Sequence, residues 1–596
     1  MKQITIKFLS FLMTMSLALG FTACGDDDAP TPSQKPTEPS EPTDPTGPTE
    51  PETPTNIVGW PANYDGVMLQ AFYWDGFADA QWNTLKGQVD NLATTFDLVW
   101  IPQSANCGGQ SMGYDDLYWF SNYNSSFGTG DELKSMIATF KAKGIGTIAD
   151  VVINHRRNVS NWVDFPRETY NGVTYELKST DICANDDGGK TKTWATQNGY
   201  SLSNNNDTGE GWDGMRDLDH KSENVQKNVK AYLKMLLNDF GYAGFRYDMV
   251  KGYSGQYTKL YNNDAKPQVS VGECWDGTNT IKNWIEATEK TSAAFDFQFR
   301  YTVRNAANGG DWRRLAQQND GNWPLVSSKY NNGSYRQYAV TFVENHDTEY
   351  RSSTAQQDPL KKDTLAANAY LLAMPGTPCV FLKHWQTYPR QIAHMTAVRK
   401  AVGITNMSTY NEVASTQGYY AVQVDGSGSK KLLCVVGTKA ADYTPDAAWK
   451  KVISGYHYAY YVQGIDPSSI TLPDIEEKQQ PQDAAYTGVP SFCTVNAGEI
   501  CAFFEAPTTW GSLIFTWAWM DGGDGKDYVG TSWPGVAATL LGTADNGNKV
   551  FKWVSSKTYA PDYIIFSGGN NQTNDMTFDN GGYYTKDGKQ AVVDAK

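Results

Sequence analysis

Four apolar runs in this chain each end abruptly in ionisable residues: Ile148 to His155 (IADVVINH), Phe245 to Asp248 (FRYD), Val269 to Asp276 (VSVGECWD) and Val340 to Asp347 (VTFVENHD). Short apolar runs with a polar end predict buried strands, here with functional groups at their C-terminal ends. Between them the period changes: Val225, Val229, Tyr232, Leu233, Leu236, Leu237 and Phe240 recur at steps of three and four, one apolar helix face that Gly241 stops before Gly244 opens the next run. This alternation predicts a (β/α)8 barrel. Its first strands are read at Val67 to Trp74 (VMLQAFYW) and Leu98 to Gln103 (LVWIPQ), and its last at Cys379 to Leu382, after the turn-forming PGTP at Pro375 to Pro378. In a parallel barrel all strand C-termini open on one face, so the three carboxylates Asp248, Glu273 and Asp347 are expected to meet in one cleft.

The rhythm breaks in three places. Residues 156–221 are rich in Gly, Asn, Asp and Trp and too long for an ordinary loop, which predicts a domain inserted into a barrel that spans 57–400. Residues 401–507 carry short β-like runs such as Tyr419 to Val424 and Leu432 to Val436, and the pattern changes again over 508–596, with SLIFTWAW, TSWPG, FKWV, YIIF and TFDNGGYYT. Both read as separate β domains, the last a β-sandwich.

At the other end, Lys2 and Lys7 precede an apolar stretch from Phe8 to Phe21, then Thr22, Ala23 and Cys24. This predicts a signal peptide over 1–23, with Cys24 as a lipidated N-terminus or a plain secretory cleavage nearby as the alternative. Asp26, Asp27 and Asp28 resemble the acidic tag of surface-exposed Gram-negative lipoproteins, so the expected location is the outer face of the outer membrane, with periplasmic or secreted as alternatives. Over the 24–56 linker, prolines recur at every third position from Pro36 to Pro54, the period of a polyproline II strut. At about 3.1 Å per residue, some thirty residues reach on the order of 90 Å.

Composition narrows the partner class. A net charge of −15 argues against nucleic acid, which needs a basic footprint. Aromatics at 13%, including 19 Trp and 35 Tyr, suit a neutral sugar, whose apolar faces pack on aromatic rings. After Cys24, seven cysteines remain, an odd number without a CxxC knuckle; Cys274 and Cys379 sit in apolar runs, and Cys493 with Cys501 is one pairing that could staple a hairpin.

Paired carboxylates suit glycoside cleavage, which needs one acid to protonate the leaving oxygen and one carboxylate to attack the sugar. Asp248 follows Arg246 by two residues, on the same side of a strand, where a guanidinium keeps it ionised at neutral pH. Glu273 is flanked by Val271, Cys274 and Trp275, an apolar setting that raises a carboxyl pKa.

DVVINH at Asp150 to His155, GFRYDMVKG at Gly244 to Gly252, GECWD at Gly272 to Asp276 and FVENHD at Phe342 to Asp347 resemble, in order, the four signature segments of the α-amylase family, glycoside hydrolase family 13. The resemblance runs from about Gly66 to about Leu382, and YDMVKGYS is nearest the plant-type subgroup. It implies Asp248 as nucleophile, Glu273 as general acid and base, and Asp347 as the third carboxylate. It also implies Arg246, His155, His346 and Tyr114 around the cleaved sugar, with Lys251 and Trp275 on the leaving-group side. Asn154, Asp217 and the main-chain carbonyl of Gly252 match a calcium site; many relatives have His where Gly252 stands. Residues 156–221 match the family's domain B and 401–507 its antiparallel domain C. The last segment, 508–596, resembles a family 26 starch-binding module, with Trp517, Trp519 and Trp533 as its aromatic platform. The implied activity is that of a retaining endo-acting α-amylase on starch and related α-1,4-glucans at the cell surface, beside other surface glycan-uptake proteins. A maltooligosaccharide hydrolase, a pullulanase, a glucanotransferase and a catalytically silent starch-capture protein are the alternatives.

Overall fold

The computed structural model describes residues 59–351, 357–476, 486–507, 510–511, 513–568, 571–573 and 575–595. The signal peptide, Cys24 and the proline-rich linker lie outside the described residues. Eight parallel strands close a barrel in chain order: β1 (Met68–Gln70), β2 (Leu98–Ile101), β3 (Gly146–Val151), β4 (Gly244–Tyr247), β5 (Val269–Gly272), β6 (Ala293–Phe295), β7 (Ala339–Thr341) and β8 (Thr377–Phe381). Nearly every strand residue is buried, because helices cover the barrel outside while side chains fill its interior. Register does chemical work: Asp150 on β3 stands opposite Arg246 on β4, and Arg246 opposite Val271 on β5.

The predicted helix between β3 and β4 spans Glu223–Met235, and Ser222 caps it by accepting hydrogen bonds from the amides of Asn224 and Val225. A turn of π-helix over Leu236–Phe240 extends it to Gly241, whose φ of 86° ends it in the left-handed conformation. Its predicted apolar face is buried at Val225, Val229, Tyr232, Leu233 and Leu236.

The insertion leaves the barrel after β3. It is tied at its base by the antiparallel pair His155–Arg156 and Arg216–Asp217, and contains a hairpin of Arg167–Tyr170 with Val173–Glu176 and a helix, Lys190–Gln197. A buried ion pair, Arg156 to Glu168 at 2.7 Å, holds the hairpin.

Beyond the barrel, β9 (Tyr410–Ser415), β10 (Tyr420–Asp425), β11 (Lys431–Val436), β12 (Lys450–Gly455) and β13 (Tyr458–Gln463) form an antiparallel sheet in the order β9-β10-β11-β13-β12. Val422, Val424, Leu432 and Cys434 share one core with the barrel helices. The C-terminal unit has two facing sheets around a core of Phe504, Trp510, Ile514, Phe551, Trp553, Ile564 and Phe566.

Two expectations are corrected. The strand Cys501–Ala506, placed by sequence at the end of the 401–507 domain, pairs with Lys549–Val554 and Gly582–Thr585 in the middle of a sandwich sheet, so the C-terminal unit begins before residue 508. Cys493 and Cys501 form no bridge: all seven described cysteines are buried free thiols, small hydrophobes in their cores.

Candidate active site

Four strand ends deliver the charged centre. The fully buried guanidinium of Arg246 lies 2.7 Å from Asp150 Oδ1, 2.6 Å from Asp248 Oδ1 and 3.1 Å from Glu273 Oε2. Its cationic face also rests on Trp100, 4.9 Å from the ring. Burial lifts the Asp248 carboxyl to about 6, against the lowering pull of Arg246. Burial lifts Glu273 further, to about 8, against the lowering pull of Arg246 and with the charges of Asp248 and Asp347 adding to the rise. Near neutral pH, then, one carboxyl of the pair is ionised and its neighbour protonated. The Met249 amide donates to Glu273 Oε2 at 2.9 Å and fixes that side chain.

Around this centre stands an aromatic wall. Tyr114, His346 and Trp74 have nearly parallel rings, with centroids 5.3 to 6.2 Å apart. The Tyr114 hydroxyl meets Asp150 Oδ2 at 3.1 Å and His346 Nε2 at 2.7 Å. The Gln70 amide faces His346 Nδ1 at 2.9 Å, which makes Nε2 the proton-bearing nitrogen, 3.2 Å from Asp347 Oδ2. Burial lowers His346 and His155 to about 4, so both are neutral donors at neutral pH. His155 Nε2 contacts the Tyr114 carbonyl at 3.1 Å. Asp347 keeps about a quarter of its side chain exposed, the most open of the three carboxylates. On the other flank Lys251 bridges Glu210 at 3.0 Å and Asp276 at 2.9 Å, while Trp275 stacks on Phe297 and donates to the Tyr301 hydroxyl at 2.7 Å.

The three residues matched to a calcium site also converge. Asn154 Nδ2 is 3.4 Å from Asp217 Oδ1, and a Cβ added to Gly252 would lie 1.9 Å from Asn154 Oδ1, so Asn154 packs directly against the backbone of Gly252. Asp207 joins them. Its Oδ2 is buried without a hydrogen-bond partner, and burial together with the Asp207 charge pushes Asp217 up to about 8. Two carboxylates, each pushed up by burial, beside an amide and a carbonyl, are hard oxygen donors suited to calcium. Among the described residues no group of three or more His, Cys, Asp or Glu side chains forms a metal cage, so this set depends on amide and main-chain oxygens.

Comparison with known proteins adds an independent line. The family profile for the α-amylase catalytic domain matches residues 96–391. An Arabidopsis thaliana protein named probable alpha-amylase 2 is 30% identical over 420 residues, 66% of this chain and 93% of that protein. The chain belongs to the α-amylase family. As a family member it is a glycoside hydrolase. A glucan 1,4-alpha-maltotetraohydrolase from Roseateles saccharophilus is 27% identical, covering 62% of this chain and 67% of that one. An α-amylase structure from Malbranchea cinnamomea aligns with 67% of this chain and 94% of its own at a TM-score of 0.48 and 16% identity.

In this family member the C-terminal unit carries its own cleft, about 680 Å³, lined by Trp517, Trp519, Trp533, Asp524, Gln572 and Asp575. Trp533 is 46% exposed and meets Trp517 edge-on at 5.7 Å, whereas Trp517 and Trp519 are half-buried. The three tryptophans named from sequence thus share one surface. Sequence reasoning missed the roles of Asp150, Gln70, Trp74 and Asp207. Asp150 stood inside a quoted segment, and a carboxylate within the otherwise apolar run of β3 was signal enough to suspect an inward group; Asp207 lay in the irregular insertion with no periodic signal.

Proposed function

We propose that this family member is a retaining endo-acting α-amylase that cleaves internal α-1,4-glucosidic bonds of starch-like polymers. The observation that carries the reading is one buried guanidinium joining Asp248 and Glu273, with burial raising both carboxyls and Glu273 the further of the two. Ionised Asp248 attacks the anomeric carbon as protonated Glu273 gives its proton to the departing glycosidic oxygen, leaving a covalent glycosyl ester and an anionic Glu273. That carboxylate then takes a proton from water, whose oxygen displaces Asp248 and regenerates both groups. His346 and Asp347 meet the sugar hydroxyls, His155 lines the same wall, and Tyr114 stacks beneath the ring. Lys251 and Trp275 hold the leaving chain.

Retention requires the two carboxyls only about 5 Å apart, and a shared guanidinium is consistent with that spacing rather than the wider gap of inverting enzymes. Calcium, held by Asn154, Asp207, Asp217 and the Gly252 carbonyl, would pin the insertion to the barrel by neutralising buried carboxylates. The cleft of Trp517, Trp519 and Trp533 is proposed to bind starch, which favours long polymers over short sugars. Lipidation at Cys24 is proposed to display the enzyme on the outer membrane. The test is proton NMR of fresh digests of amylose. α-Anomeric products before mutarotation are expected, and β-anomers would overturn the double displacement.

A further inference from the structure

Tyr114 stands well past the end of β2 at Ile101, on a loop with no regular structure. Such a loop presents a ring in one place only if its backbone is gripped from outside. Here the grip comes from the inserted domain. His155 Nε2 meets the Tyr114 carbonyl at 3.1 Å, the Arg157 amide donates to the Asp116 carbonyl at 2.9 Å, and Arg156 Nη2 donates to the Leu117 carbonyl at 2.7 Å. A single carboxylate takes the following stretch. The amides of Trp119, Phe120 and Ser121 donate to Glu168, on the first strand of the hairpin, at 3.0, 2.8 and 2.9 Å, and the Ser121 hydroxyl donates to it at 2.9 Å. Arg156 closes the circuit: it pairs with Glu168 at 2.7 Å and lies over the Trp119 ring at 4.4 Å.

Glu168 is 3% exposed. Burial opposes its charge, but Arg156 and the amides of Trp119 and Phe120 hold the carboxyl below its usual value, so it stays ionised through the neutral range. Hydrogen bonds to an ionised acceptor are roughly twice as strong as neutral ones, which makes this a firm hold on the loop. The hairpin adds packing, with Tyr170 and Tyr175 stacked on Phe120 at 5.7 and 4.4 Å between centroids. Asp150 and His346 fix the hydroxyl end of the Tyr114 ring, and the grip on the loop fixes its backbone end. We propose that Glu168 is a positioning residue for the reaction: from the inserted domain it clamps the loop that carries Tyr114 and so sets how that ring lies beneath the sugar. The inference rests on the stacking role read for Tyr114 above.

A double-mutant cycle on the full chain tests it, with kcat/KM on maltoheptaose as readout and melting curves to confirm folding. Glu168→Gln keeps the shape of the side chain and removes its charge. It should lower kcat/KM about tenfold, less than the roughly hundredfold that a misplacement of about 1 Å can cost. Tyr114→Ala removes the ring, and once the ring is gone its placement no longer matters. In that background Glu168→Gln should therefore cost less than about twofold. If melting curves show Glu168→Gln unfolded, Glu168→Gln with Arg156→Met, which removes both buried charges together, takes its place in the cycle. Losses that multiply across the two sites, or an unchanged kcat/KM in the folded Glu168 variant, would show that Glu168 serves folding alone and would overturn the proposal while leaving Tyr114 its role. A Tyr114→Ala variant as active as the parent would instead overturn the stacking reading, and this inference with it.

Discussion

Replacing Arg246 tests the electrostatic account directly. The guanidinium is 1% exposed and sits within 2.6 to 3.1 Å of three carboxyls, so Arg246→Met would leave Asp150, Asp248 and Glu273 facing one another without a counter-charge. Removing one partner of a buried ion pair costs about 3–5 kcal/mol. Spread over three carboxyls, this is on the order of one pKa unit each, at about 1.4 kcal/mol per unit. Asp248, already lifted to about 6 by burial, would cross neutrality. The acidic limb of kcat/KM should therefore move from near 6 to above 7, and activity at pH 6.5 should fall far more than at pH 8. Stability follows with a definite sign. A carboxyl whose folded pKa is raised above its unfolded value contributes stability at low pH that is lost as pH rises through the folded pKa. The melting point of Arg246→Met should thus trail the parent widely at pH 8 and less at pH 5.5. Arg246→Lys, which restores charge without the bridging fork, should recover part of both effects. A pH profile of kcat/KM on a soluble maltooligosaccharide, with melting curves at the two pH values, is the assay. An acidic limb that stays near 6 in Arg246→Met would show that Arg246 does not control the ionisation of Asp248.

Four further outcomes are expected. Glu273→Ala should lose turnover of unactivated glucans yet regain product formation with azide on substrates whose leaving groups need no proton, detected as β-glucosyl azide; no azide adduct would argue against Glu273 as the acid and base. Calcium should raise the melting temperature of the metal-depleted protein, and Asp207→Ala or Asp217→Ala should abolish the rise; an unmutated protein whose melting ignores calcium would refute the site. Trp533→Ala should lower activity on granular starch relative to a soluble maltooligosaccharide by roughly five- to tenfold, the contribution of one stacked sugar, and an unchanged ratio would separate the C-terminal cleft from starch binding. Membrane fractions of the expressing cell should hold the parent protein while Cys24→Ala partitions into the soluble fraction; retention of the variant after a salt wash would exclude the lipid anchor.

What the sequence determined by itself is what short-range pattern encodes. β3, β4, β5 and β7 were legible because each is an apolar run that ends in charge, and the helix before β4 because its apolar positions keep helical spacing up to a glycine stop. The carboxylates Asp248, Glu273 and Asp347 were legible for the same reason, since a polar group ending a buried strand of a parallel barrel has one face to open on. The tertiary structure decided everything that depends on which distant segments touch. β6 is only Ala293–Phe295, too short to show a period, and exists because β5 and β7 flank it. Cys501–Ala506 joined the sandwich through partners some fifty and eighty residues away. Asp150 became a partner of Arg246 through strand register, Asp207 reached Asp217 through the fold of an irregular insertion, and Trp212 came to lie on His155 by the same route. Periodicity reports whether a side chain is buried, because burial repeats with the geometry of the element. It carries no record of the neighbour across the gap, and that neighbour sets the protonation states on which the chemistry runs.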